Sequence, residues 1–142
     1  MQEAIPLGRE QRKKKRMPAQ PLKKKILIVD DEESVGIGMT EILKDAGFMA
    51  KYVTDGMKAV EEVAKEHYDL VFMDIVMPEV NGLEAFRRIK QIKKNVRVVL
   101  FTGFYKDAEK IIFEGIKEGM IEEFLRKPFF AEEIINIARK YA

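Results

Sequence analysis

From residue 26 onward the chain alternates short apolar runs with longer amphipathic segments. ILIV (26–29), FMAKYV (48–53), LVFM (70–73), VRVVLF (96–101) and EFLR (123–126) are rich in β-branched and aromatic residues and predict strands. The segments between and after them carry helical spacing. Ile37, Met39, Ile42, Leu43 and Ala46 share one helix face that Gly47 ends, and Leu83, Phe86, Ile89 and Ile92 form another. The same stripe recurs at 56–65, 107–118 and 130–141. Gly36 and Gly38 conflict with the first helix, each costing about 1 kcal/mol in a helix interior. A late start, capped by Ser34, is the expectation there.

Five strands each followed by a helix imply a parallel sheet, because parallel neighbours need a crossover and such crossovers are right-handed. The expected fold is therefore α/β, a doubly wound five-stranded parallel (βα)5 sheet. Its first and third strands are the most continuously apolar, as central strands should be.

Composition narrows the chemistry. With 142 residues, no cysteine and one histidine, the chain suits a single domain that can hold a metal only through oxygen. The formal net charge of +2 is uneven: residues 1–25 hold nine Lys/Arg against Glu3 and Glu10, so residues 26–142 sum to −5. Residues 1–24, with RKKKR at 12–16 and three prolines, are expected to be a basic, disordered tail ahead of a domain at 25–142. The acidic domain argues against nucleic acid as the main ligand, leaving weak contact through residues 9–25. No apolar run is long enough to span a bilayer and no secretory signal is evident, so the expected location is the cytoplasm, without membrane insertion.

The polar residues that follow each strand carry the functional signal. Asp30 and Asp31 follow the first strand, Asp74 the third, Thr102 the fourth, and Lys127 and Pro128 the fifth. Singly, the first two suit a helix cap, Thr102 suits a strand and Lys127 suits a solvated turn. Together they converge on the crevice where open α/β sheets bind ligands. Two carboxylates about 4 Å apart repel by roughly 4 kcal/mol at an effective dielectric near 20, so the cluster calls for cations. Lys127 supplies one, and an all-oxygen site with few carboxylates suits Mg²⁺. Adjacent strand residues face opposite ways, so one of Asp30 and Asp31 should bind the ion directly and the other through water. With a metal, a lysine and a hydroxyl around it, Asp74 has the setting of a nucleophile that forms an aspartyl phosphate.

The ordered set ILIVDDE, VFMDIVMPEVNG, LFTG and FLRKPF resembles the receiver domain of two-component response regulators, over residues 25–141. The resemblance implies a flavodoxin-like strand order of 2-1-3-4-5. It further implies a switch, akin to the stand-alone chemotaxis regulators, that accepts phosphate on Asp74 from a histidine kinase or a histidine phosphotransfer protein. By the same likeness, Asp31 binds Mg²⁺ directly, Asp30 through water, and the Val76 backbone carbonyl adds a ligand. Thr102 and Lys127 contact the phosphoryl group, the Lys127–Pro128 bond is cis, and Phe124 turns inward with Thr102 on activation. Such a protein is no conventional enzyme: it catalyses its own phosphorylation and dephosphorylation, and then changes its binding to a downstream protein target.

The chain ends just after the last predicted helix, which suggests a stand-alone receiver. Two other readings stay open, a Mg²⁺-dependent phosphatase with a phosphoaspartate intermediate and a phosphorylation-independent scaffold or dimerisation module. The former is weakened by Val76, where a dehalogenase-type phosphatase needs a second Asp. Two spacings depart from the family: Thr102 and Lys127 stand 25 residues apart, and GMIEEFLRKP carries one residue more than usual. His67 reads as an exposed turn residue, and Met73, Met77 and Met120 as core filler. Phe104, two residues after Thr102, is expected to shield the phosphoryl group from water. Phe104→Ala should therefore shorten the phosphoryl half-life, measured by the decay of the phosphorylated protein.

Overall fold

A computed structural model describes residues 22–75, 77, 80–102, 109–126 and 130–142, with backbone only for Thr102, Glu122 and 124–126. The elements alternate as β1 (Lys25–Val29), α1 (Glu33–Asp45), β2 (Met49–Val53), α2 (Gly56–Lys65), β3 (Leu70–Asp74), α3 (Gly82–Ile92), β4 (Arg97–Thr102), α4 (Glu109–Lys117), β5 (Ile121–Arg126) and α5 (Ala131–Tyr141). The strands form one parallel sheet in the order β2-β1-β3-β4-β5, the order expected from the sequence. The basic tail expected at 1–24 lies almost wholly outside the described residues.

The pleat sends alternate strand residues to opposite faces, and each face has its own core. Ile26, Ile28, Leu70, Phe72, Val99 and Phe101 pack with Met39 and Leu43 of α1 and Ile134, Ile137 and Ala138 of α5. Leu27, Val29, Val71, Met73, Val98 and Leu100 pack with Ala59 and Val63 of α2, Leu83, Phe86 and Ile89 of α3, and Ile111, Ile112 and Ile116 of α4. Covering on both sides explains why β1 and β3 have almost no polar positions before their last residues. Met73, Met77 and Met120 are buried in the second core, as filler should be.

The first helix departs from expectation. It starts at Glu33, with Glu32 rather than Ser34 as the N-cap residue, and runs through both glycines. Gly36 has a packing reason, since a Cβ there would come within 2.7 Å of the Tyr52 ring on β2. The helix interior tolerates the glycine because any side chain would push α1 off the edge strand. Gly38 has open space around it, and nothing in the structure explains it.

One buried charge stands apart from the strand ends. Glu62 on α2 accepts hydrogen bonds from Lys51 Nζ of β2 at 2.9 Å and from the Tyr68 hydroxyl at 2.7 Å, with Lys65 Nζ at 3.6 Å. Burial alone would raise its pKa. The two hydrogen bonds and the lysine charges outweigh burial, and its carboxyl is lowered from 4.5 to about 2. The cluster ties the edge strand β2 and the turn before β3 to α2.

Because the folded-state pKa is depressed, this stabilisation is complete above the ordinary carboxyl pKa and is lost as pH falls from about 4.5 towards 2. Glu62→Ala should lower stability at pH 7 by about 1–3 kcal/mol, because it leaves the Tyr68 hydroxyl buried without this acceptor. The variant should also lose that part of the acid dependence. Urea denaturation at stepped pH checks both outcomes.

Candidate functional site

Parallel strands all present their carboxyl ends at one rim, and the acidic residues gather there. Asp30 follows β1 and Asp74 ends β3, the strand that pairs with β1 in register. One carboxylate oxygen from each of Asp30, Asp31 and Asp74 lies within 4.8 Å of the other two. Asp30 and Asp74 are fully buried, whereas Asp31 is exposed. The two neighbours reach the same place because they stand past the last residue of β1, where the chain has left the pleat. Their burial differs, with Asp30 enclosed and Asp31 facing solvent.

Local bonds fix this geometry. The Asp30 amide donates to the Val53 carbonyl of β2 at 3.2 Å, holding the end of β1 against its neighbour. The Glu32 amide donates to Asp30 Oδ1 at 2.8 Å, which sets the orientation of that carboxylate as the chain turns into α1. On β3, the Ile75 amide donates to the Phe101 carbonyl at 3.2 Å, and the Gly82 amide returns to the Ile75 carbonyl at 3.0 Å. The start of α3 is thereby drawn over the end of β3.

Two residues of the quoted PEVNG stretch acquire roles that the sequence reading did not give them. The Asn81 side chain accepts from the Glu84 amide at 3.0 Å and caps α3. A Cβ on Gly82 would meet the Asp74 carbonyl oxygen at 2.3 Å and the Ile75 Cα at 2.6 Å, so only glycine allows α3 to begin this close to Asp74. The Asn-Gly pair is the available signal, as a helix cap followed by a close backbone approach.

Thr102 is the last residue of β4, one position beyond Phe101, the partner of Asp74. The backbone thus brings Thr102 to the same rim as the three acids. Phe124 lies within β5. Val76, Phe104, Lys127 and Pro128 fall outside the described residues. The unusual spacing ahead of Lys127 has a counterpart in the sheet, since β5 pairs Glu122 with Leu100 but Arg126 with Thr102. Four residues on β5 span two on β4, so a bulge-like irregularity takes up the surplus before the strand ends. His67 is exposed and lies away from the acids, with Nε2 at 3.0 Å from Asp69 Oδ1.

Three clustered carboxylates, two of them removed from water, repel strongly unless a cation sits among them. The donors are all oxygen and few, which suits a hard divalent ion that keeps some of its water, and the cluster is compatible with Mg²⁺. Among the described residues no helix is long and apolar enough to cross a membrane.

Comparison with known proteins agrees with this geometry. The response regulator receiver domain family matches residues 26–139. Sporulation initiation phosphotransferase F of Bacillus subtilis is 34% identical over 121 residues, covering 84% of this chain and 94% of that protein. Chemotaxis protein CheY of Thermotoga maritima is 33% identical over 118 residues, covering 82% of this chain and 96% of that one. Among solved structures, chemotaxis protein CheY4 of Vibrio cholerae matches with a TM-score of 0.75 at 24% identity, over 85% of this chain and 100% of that one, a likeness of fold.

Gly82→Ala should push α3 away from Asp74. An expected loss of about 1–3 kcal/mol in urea denaturation, as for other overpacked sites, should come with weaker binding of Mg²⁺ at the acidic cluster, read by titration.

Proposed function

This chain belongs to the response regulator receiver domain family, whose members are phosphorylation-activated signalling switches, and we propose that Asp74 is its phosphoryl acceptor. The observation that carries this reading is the position of Asp74: fully buried, at the end of the central strand, with its carboxylate grouped with those of Asp30 and Asp31. A carboxylate in that setting is costly for stability alone, and chemistry at the site accounts for it.

In the proposed reaction a carboxylate oxygen of Asp74 attacks the phosphorus of a phosphohistidine on a sensor kinase or a histidine phosphotransfer protein. The phosphorus–nitrogen bond breaks, the imidazole leaves with its electron pair, and an acyl phosphate forms on Asp74. Asp31, Asp74 and the Val76 carbonyl would hold Mg²⁺, with Asp30 supporting it through water. Bound there, the ion would neutralise charge on the phosphoryl oxygens as the transfer proceeds.

The protein's own groups do the rest. Burial of Asp74 keeps bulk water away from the nucleophile, and the Glu32 amide holds Asp30 in place. Thr102 would donate to a phosphoryl oxygen and Lys127 would pair with its charge. The new charge at Asp74 would draw Thr102 towards it, and Phe124 would fill the space released. The resulting change of surface would alter binding to a downstream protein.

Intact mass after incubation with Mg²⁺ and a small acyl phosphate tests the reading. Wild type should acquire one stable phosphoryl group and Asp74→Asn none. Asp31→Asn should require more Mg²⁺, by roughly 10–100-fold, for the same rate. Rapid release of free phosphate would favour a phosphatase, and no reaction would favour a scaffold.

A further inference from the structure

The opposite rim of the sheet, where the strands begin, holds a cavity of about 570 Å³. It opens between Lys24 ahead of β1, the turn 67–69 ahead of β3, the loop from Ile92 to Arg97 between α3 and β4, and the end of α5. The five residues of β3 separate it from the acidic cluster, roughly 15 Å at the usual rise per strand residue. The two sites are therefore distinct.

Its wall is apolar and its rim cationic. Val63, Tyr68 and Val96 are almost fully buried along it, while Ile92 is 43% exposed. Lys24, Lys93, Lys94 and Arg97 line the same space. Among the described residues the three lysines make no ion pair, and Arg97 gives one guanidinium N–H to the Tyr141 carbonyl at 3.0 Å. Several cations elsewhere are matched, Lys25 with Glu66, Lys51 with Glu62, Arg87 with Glu118, Arg88 with Glu84 and Lys140 with Glu123, and the unpaired cations of the cavity differ from other solvated ones in sharing one concavity. Among the side chains that line the cavity, the carboxylate set against these four cations is that of Asp69, so positive charge is in excess. Asp69 is itself already engaged by the Lys25 amide at 2.8 Å and by His67. In a domain whose residues 26–142 sum to −5, unmatched cations gathered round one concavity make a local positive field that draws an anion.

Size and lining say which anion. An inorganic phosphate would leave most of the volume empty, whereas small organic ligands occupy cavities of about 300–1,000 Å³ with apolar walls and a few polar groups. Arg97 offers a planar fork for phosphate oxygens and the lysines offer point charges. Ile92 and Val96 offer a surface for a flat ring, and the exposed Asn95 amide carries both donor and acceptor for the edge of a base.

We propose that this cavity binds a nucleotide, with its phosphates on Lys24, Lys93, Lys94 and Arg97 and its base against Ile92 and Val96. Nucleotide occupancy would join α3, the start of β4 and the end of α5, giving the domain a second chemical input on the rim remote from Asp74.

The test is titration of the ¹⁵N-labelled full chain with ATP, without Mg²⁺, followed by amide chemical shifts. Saturable shifts are expected at Asn95, Val96, Arg97 and Tyr141. Adenosine and tripolyphosphate should each bind at least about tenfold more weakly than ATP, and so should ATP to a Lys93→Glu/Lys94→Glu variant. That variant should keep a dispersed amide spectrum and unchanged phosphorylation at Asp74. Shifts confined to residues 1–22, tripolyphosphate binding equal to that of ATP, or ATP binding unaltered in the charge-reversed variant would each overturn the proposal.

Discussion

Mutual repulsion of carboxylates at the end of two central strands is the constraint round which this molecule is arranged. Asp30 and Asp74 have lost contact with water, and with Asp31 their oxygens lie within 4.8 Å of one another. A fold selected only for stability would place apolar residues there, as the remainder of β1 and β3 does. Two cores on the faces of the sheet and backbone hydrogen bonds at the rim hold the acids in this arrangement. Rigidity is what turns an unfavourable charge density into a cation site.

Much of this was legible in the residues. β-branched runs and helical stripes locate the ten elements within a residue or two, because the inner strands β1 and β3 are covered on both faces and each helix buries one face. The convergence of Asp30, Asp31 and Asp74 followed from their place after strands that had to be parallel neighbours. The start of α1 was not legible, because the cost of Gly36 is offset by the Tyr52 ring, a contact from another element. Gly82 was visible, but its near contact with the Asp74 carbonyl depends on how α3 folds back over β3. The cationic cavity was not legible, since Lys93, Lys94 and Arg97 in one loop read as a solvated turn until the fold brings Lys24 and the end of α5 beside them.

The two rims divide the labour by the polarity of the strands. Carboxyl ends carry short polar turns into helices, and there the acids and Thr102 stand. Amino ends receive the chain from helices with a lysine in the last turn, Lys65 for α2 and Lys90 for α3, and after α3 the cavity residues Lys93, Lys94 and Arg97 follow in one loop. The acidic cluster and the cationic cavity therefore lie at opposite ends of the same sheet.

The irregular pairing of β5 with β4 bears on how this architecture tolerates change. Since Glu122 faces Leu100 while Arg126 faces Thr102, the additional length is absorbed inside the ladder, and both strands still finish level. Such a kink behaves as slack in a rope tied at both ends. Sequence drift along this outer strand can be taken up locally without altering where β4 ends, so the peripheral half of the sheet is free to vary while the pocket stays in place.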